Sequence, residues 1–130
     1  MKVDLKKILL VEDDQDIRVI VKSALEMLAG FEVRACSSGA EALSAVEEFA
    51  PQLALLDVMM PELDGPGVLA QLRERPATAT LPVIFLTAKA TPQESERLRG
   101  LGAVGVLSKP FDPLNLHEQI RTIWEKAGNA

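Results

Sequence analysis

Ile8-Leu9-Leu10-Val11-Glu12-Asp13-Asp14 is a short apolar run that ends abruptly on acids. The same device recurs along the chain. Leu53-Ala54-Leu55-Leu56 ends on Asp57, Val83-Ile84-Phe85-Leu86 on Thr87, and Val104-Gly105-Val106-Leu107-Ser108 on Lys109-Pro110. Short apolar runs alternate five times with longer amphipathic segments, the pattern of a parallel sheet covered by helices on both faces. A doubly wound α/β fold with five strands and five helices is the expectation. In an open parallel sheet, residues at the carboxyl ends of the strands share one crevice, and ligands bind there. Glu12, Asp13, Asp57, Thr87 and Lys109 are therefore expected to meet in one pocket.

The segments between the runs carry helix-start chemistry. Asp14 caps a helix over about 15–28, whose Ile17, Ile20, Val21, Ala24 and Leu25 recur at helical spacing, and Gly30 stops it. Ser37 or Ser38 caps a second helix over about 39–50, with Ala42, Leu43 and Val46 inward. Asp64-Gly65-Pro66 opens a third, and Pro76 lies just beyond its end. Thr91-Pro92-Gln93-Glu94 is a capping box for a short fourth helix that Gly100 ends. Asp112-Pro113 repeats the cap-then-proline device for a last helix of about 113–127, with Leu116, Ile120 and Ile123 on one face. The run 126–130 reads as a frayed end. No linker, repeat or low-complexity tract appears. One domain over 1–130, with a structured core of about 6–126 and no room for an appended output domain, is expected.

Bulk properties narrow the function. A chain of 130 residues buries roughly two thirds of the surface it exposes when unfolded. Its 48% hydrophobic and 25% charged content is that of a soluble globular protein. A net charge of −5 argues against general attraction to nucleic acid or anionic membrane. Four Phe, one Trp and no Tyr leave no stacking platform for bases. Cys36 is the only cysteine, so no internal disulfide forms, and a reducing compartment fits. The first seven residues lack the apolar stretch of a signal peptide, and no run reaches the ~18 apolar residues of a membrane span. A cytoplasmic location is expected.

Three carboxylates, a hydroxyl and an ammonium in one crevice describe a divalent-metal and phosphoryl site. Mg²⁺ takes an octahedron of oxygens, a few from carboxylates. Asp13 and Asp57 each supply one, Glu12 binds directly or through a water, and a carbonyl of the loop after Asp57 adds another. Like charges this close repel, and a bound cation is the usual relief. With metal bound, Asp57 keeps a free oxygen able to attack phosphorus in line. Lys109 neutralises charge on the transferring group, and the Thr87 hydroxyl donates a hydrogen bond to it. Singly, each residue has an ordinary reading: a helix cap for an acid, β-propensity for Thr87, a solvated charge for Lys109. Their joint placement at strand ends is what carries the chemistry.

On these residues the chain resembles the receiver domain of the two-component response regulator family, over essentially its whole length. The matching pieces are 8–14, Asp57-Val58-Met59-Met60-Pro61-Glu62-Leu63-Asp64-Gly65, Leu81-Pro82-Val83-Ile84-Phe85-Leu86-Thr87-Ala88, Gly102-Ala103 and Lys109-Pro110-Phe111-Asp112-Pro113. The resemblance implies a flavodoxin-like sheet of strand order 2-1-3-4-5. It implies that Asp57 accepts a phosphoryl group from a histidine kinase or phosphotransfer protein. Glu12, Asp13, Asp57 and the backbone carbonyl of Met59 would hold Mg²⁺, and Thr87 and Lys109 would contact the phosphoryl group. Lys109-Pro110 would be a cis peptide. Signalling would pass to a downstream protein through the fourth helix, fifth strand and fifth helix, a face also able to form a homodimer, without direct contact to nucleic acid or membrane.

One position departs from that pattern. Where many members carry Tyr or Phe after the glycine-alanine turn, this chain has Val106, whose single χ angle gives it little reach. The aromatic half of the usual switch is thereby in question. Elsewhere, Met59 and Met60 are expected to fill packing gaps, with Met59 able to limit water access to an acyl phosphate. Lys89, two after Thr87, has two readings, a cation near the phosphoryl oxygens or a solvated lysine; His117 is read as surface filler, and Trp124 as packed under the last helix. Two rival functions are an aspartate-nucleophile phosphatase and an inert pseudo-receiver. The first commonly places an acid two residues after the nucleophile, where this chain has Met59. The second is opposed by the complete acid, threonine and lysine set. The expectation is a binding module that catalyses its own phosphoryl transfer and autodephosphorylation but is not an enzyme for any external substrate.

Overall fold

A computed structural model describes residues 3–129. The elements run β1 (Lys7–Val11), α1 (Gln15–Ala29), β2 (Glu32–Cys36), α2 (Gly39–Phe49), β3 (Leu53–Asp57), α3 (Gly65–Glu74), β4 (Val83–Thr87), α4 (Pro92–Gly100), β5 (Gly105–Ser108) and α5 (Leu116–Trp124). All strand pairs are parallel, in the order β2-β1-β3-β4-β5. Alternation within the apolar runs explains how one sheet serves two cores. Leu9, Val11, Ala54, Leu56, Val83 and Phe85 face α2, α3 and α4. Ile8, Leu10, Leu53, Leu55, Ile84 and Leu86 face α1 and α5, where Val21, Leu25, Leu116, Ile120 and Trp124 complete the packing. Successive side chains point to opposite faces of a strand, so a run with no polar residue is buried on both. Among the described residues, no helix is long and apolar enough to cross a membrane.

The caps hold most of the helix boundaries. Asp14, Ser38, Asp64 and Thr91 each accept a backbone N–H three residues on. Gly30 closes α1 in the left-handed region. Gly100 ends α4, as expected, and the left-handed turn falls at Gly102. Two details differ from expectation. Glu94 does not reach back to complete the capping box; its carboxylate is held by Arg97. The regular part of α5 begins at Leu116, because Asp112 first organises a turn, its carboxylate accepting from Leu114 and its carbonyl from Asn115 and Leu116. The expected fray at 126–130 is a wide turn over Glu125–Asn129 following α5 directly, while Ala130, like Met1 and Lys2, lies outside the described residues.

α2 ends on Ala50 at φ 52°, a left-handed position occupied by a residue with a Cβ. L-residues other than glycine are strained there by about 1–2 kcal/mol. Ala50→Gly is expected to stabilise the fold by about 1 kcal/mol in urea unfolding. An unchanged or lowered midpoint would contradict this account of the cap.

Candidate functional site

Register brings the strand ends level. Val11 of β1 pairs with Leu56 of β3, so Glu12 and Asp57 stand side by side. Asp57 in turn pairs with Leu86 of β4, placing Thr87 one residue further out, opposite Ser108 of β5. Lys109 follows, its backbone N–H donating to the Thr87 carbonyl, and its peptide bond to Pro110 is cis, as the resemblance implies. The loop after β3 folds back tightly. Gly65 N–H donates to the Val58 carbonyl, and a Cβ at Gly65 would stand 2.5 Å from the Asp57 carbonyl oxygen. Glycine permits this approach of α3 to the end of β3.

All five predicted side chains line this rim. Glu12 is 1% exposed, Asp57 5% and Thr87 5%, whereas Asp13 is open to solvent. The Lys109 ammonium bridges two acids, 2.6 Å from Glu12 Oε1 and 3.1 Å from Asp57 Oδ2. The second Glu12 oxygen accepts from the Asp14 N–H at 3.1 Å, and Asp57 Oδ1 accepts from the Met59 N–H at 3.4 Å. Thr87 Oγ1 accepts from the Lys89 N–H at 3.0 Å. Burial pushes the Glu12 carboxyl from an ordinary 4.5 up to about 7, against the pull of Lys109 and of the Asp14 N–H. Burial opposes the charge on Lys109, but its bonds to Glu12 and Asp57 outweigh that and hold its pKa above the usual lysine value.

One oxygen from each of Glu12, Asp13 and Asp57 lies within 4.8 Å of the other two. Opposite oxygens around Mg²⁺ are about 4.2 Å apart, so this all-oxygen set fits a hard divalent cation after closing slightly.

Sequence reasoning missed Arg18. Its guanidinium donates to the Glu12 carbonyl at 2.9 Å and the Asp13 carbonyl at 3.4 Å, fixing the β1–α1 turn that presents both acids. The available signal was a cation one turn into the helix behind an acid cluster. The two methionines also part company. Met60 fills a packing gap, as expected, but Met59 does not: its side chain is 76% exposed. Lys89 is solvated. His117 is half-buried rather than surface filler, and its Nδ1 has no partner among the described residues. Trp124 packs under α5 and donates its indole N–H to the Val3 carbonyl. Val106 lies half-buried against the α2–α4 side of the core.

Comparison with known proteins gives a consistent picture. The family described as response regulator receiver domain matches residues 8–121. Transcriptional regulatory protein GltR of Pseudomonas aeruginosa is 40% identical over 124 residues, covering 94% of this chain and 50% of that protein. The phosphate regulon transcriptional regulatory protein PhoB of Rhizobium meliloti is 39% identical over 125 residues, covering 95% and 54%. The chain thus spans about half the length of the curated relatives it matches. Among solved structures, chemotaxis protein CheY4 of Vibrio cholerae superposes with a TM-score of 0.84 at 29% identity, covering 92% of this chain and 99% of that one. A response regulator from Desulfuromonas acetoxidans gives 0.83 at 27% identity, covering 93% and 98%.

Proposed function

This chain belongs to the response regulator receiver domain family of two-component signalling, and from that premise we propose that Asp57 is its phosphoacceptor and that phosphorylation changes which protein it binds. The observation that carries the reading is the Lys109 ammonium seated between Glu12 and Asp57, with Thr87 on the neighbouring strand end. An Asp57 oxygen attacks phosphorus, the bond from phosphorus to the donor's leaving group breaks, and the leaving group departs with the electron pair. Lys109 balances charge on the phosphoryl oxygens, and Thr87 turns its hydroxyl to donate to one of them. Glu12, Asp13, Asp57 and the Met59 carbonyl would hold Mg²⁺, which supplies further neutralisation of the transferring group.

The donor is a histidine kinase or phosphotransfer protein, and the output is a protein contact, with the α4–β5–α5 face as the expected surface for a downstream partner or a homodimer. The net charge of −5 gives this unit no electrostatic footprint for DNA. A cytoplasmic location fits such donors. Catalysis is confined to the chain's own phosphorylation and dephosphorylation. A phosphatase of external substrates is disfavoured because Met59 stands where such enzymes carry an acid. Incubation with Mg²⁺ and acetyl phosphate is the test: the intact protein gains one phosphoryl mass, mapped to the Asp57 peptide. No adduct would indicate an inert module, and rapid multiple-turnover phosphate release a phosphatase.

A pH dependence follows from Glu12. With its carboxyl at about 7 in the metal-free protein, a cation must displace a proton at lower pH. Each pH unit below that value costs about tenfold in apparent affinity, so Mg²⁺ should bind roughly 30-fold more weakly at pH 5.5 than at pH 8. Calorimetric titration at both values checks this, and equal dissociation constants would refute it. In the absence of metal the sign for folding is the reverse. Between 4.5 and 7 only the folded state holds the Glu12 proton, so this group's contribution to stability falls as pH rises.

A further inference from the structure

Residues 12–14 carry the chain from β1 into α1, and their three successive carbonyls all accept hydrogen bonds from one residue. The Arg18 guanidinium donates through a single nitrogen to the Glu12 carbonyl at 2.9 Å and the Asp13 carbonyl at 3.4 Å. Its backbone N–H donates to the Asp14 carbonyl at 2.9 Å. The two acids depend on this hold to different degrees. Glu12 is fixed from other sides as well: its N–H donates to the Cys36 carbonyl, and its carboxylate accepts from Asp14 and Lys109. Asp13 is exposed, and its carboxylate makes no salt bridge among the described residues. Beyond the chain itself, the bond from Arg18 is what holds this acid where one of its oxygens lies within 4.8 Å of oxygens of Glu12 and Asp57.

We propose that Arg18 is a positioning residue that sets the affinity of the acid cluster for Mg²⁺, and that it does so through geometry and against its own charge. The inference rests on the function proposed above, in which Glu12, Asp13 and Asp57 hold the ion. A turn not already ordered must be ordered on binding, and that conformational cost is subtracted from affinity. Tying the carbonyls of both acids to one guanidinium removes much of the cost beforehand, because the planar group loses little freedom for each bond it forms. The charge works the other way. A cation beside a cation site repels the incoming ion, so by charge alone Arg18 weakens binding. The two contributions have opposite signs, and a neutral substitution shows which is larger. Arg18 is only half-buried, so water and salt screen its charge. Loss of a partner that orients metal ligands, by contrast, commonly lowers affinity by about 10–100-fold. Geometry is the larger of the two.

The full chain, Arg18→Met and Arg18→Lys are titrated with Mg²⁺ by calorimetry at pH 8. Methionine keeps much of the apolar stem and loses both bonds. Lysine keeps the charge and can renew at least one bond, since both come from one nitrogen. The dissociation constant is expected to rise about tenfold in Arg18→Met and by less in Arg18→Lys. Arg18→Gln, whose neutral amide is too short to span both carbonyls, is a second neutral variant and should match Arg18→Met. Phosphorylation by acetyl phosphate should split in the same way. The Mg²⁺ concentration for half-maximal rate rises by the same factor, while the rate at saturating Mg²⁺ stays within about twofold of the parent's. Neutral variants that bind Mg²⁺ as tightly as the parent, or more tightly, overturn the proposal, as does Arg18→Lys binding no better than Arg18→Met. The calorimetric comparison decides the inference even where the parent binds Mg²⁺ but takes no phosphoryl group, a result that overturns the proposed function alone.

Discussion

Asp57→Asn is expected to lower phosphoryl incorporation from acetyl phosphate by about a thousandfold or more. The amide keeps the size and shape of the carboxylate but lacks the anionic oxygen that attacks phosphorus. Asp57 is otherwise well placed: it is buried, its Oδ1 is held by the Met59 N–H, and its Oδ2 faces the Lys109 ammonium at 3.1 Å. The substitution also removes one of two buried carboxylates that share a single lysine. Urea unfolding without metal should therefore show the variant at least as stable as the parent, separating loss of chemistry from loss of fold. Mass analysis of the whole protein decides the matter. Incorporation at the parent's rate would mean another acid, such as the exposed Asp13, is the acceptor.

Lys109→Met should have the largest effect on stability. The methionine preserves much of the aliphatic stem and removes only the charge, leaving Glu12 and Asp57 together in a site where both are almost wholly buried. At pH 8, above the Glu12 value of about 7, both acids are charged in the parent, and breaking a buried ion pair by removing one partner costs about 3 kcal/mol or more. At a urea slope of about 1–3 kcal/mol per M, the midpoint falls by roughly 1–3 M. Glu12→Gln in the same background should recover most of the loss, since one carboxylate then remains without a like-charged neighbour. Mg²⁺ should also recover part of it. A midpoint unmoved by Lys109→Met would show that the two acids do not both carry charge in the metal-free protein, and the shared-lysine account of the site would fail.

The parts of this fold legible in the sequence are those governed by near neighbours. Four strands announce themselves as short apolar runs, whereas β2 (Glu32–Cys36) alternates with exposed Glu32 and Arg34. Asp14, Ser38, Asp64 and Thr91 announce helix starts by a bond three residues long. Where a local signal failed, a second partner competed for the same group. Glu94 left its capping box for Arg97, and Asp112 spent its acceptors on a turn before α5. The two methionines could not be told apart, because nothing within a few residues says which side of a loop faces the core. Arg18 escaped notice for a related reason: it contacts backbone carbonyls, which every residue offers.

The order of residue types alone determined that acids, a threonine and a lysine end successive strands of a parallel sheet, since alternation and strand-end position follow from chain geometry. What only the tertiary structure decided was the pairing among them. The bond from Lys109 to Glu12 joins positions 97 residues apart, and it exists because four strands stack in one register. The raised pKa of Glu12 belongs to the same level, because burial, not residue type, removes the water that would otherwise stabilise its charge.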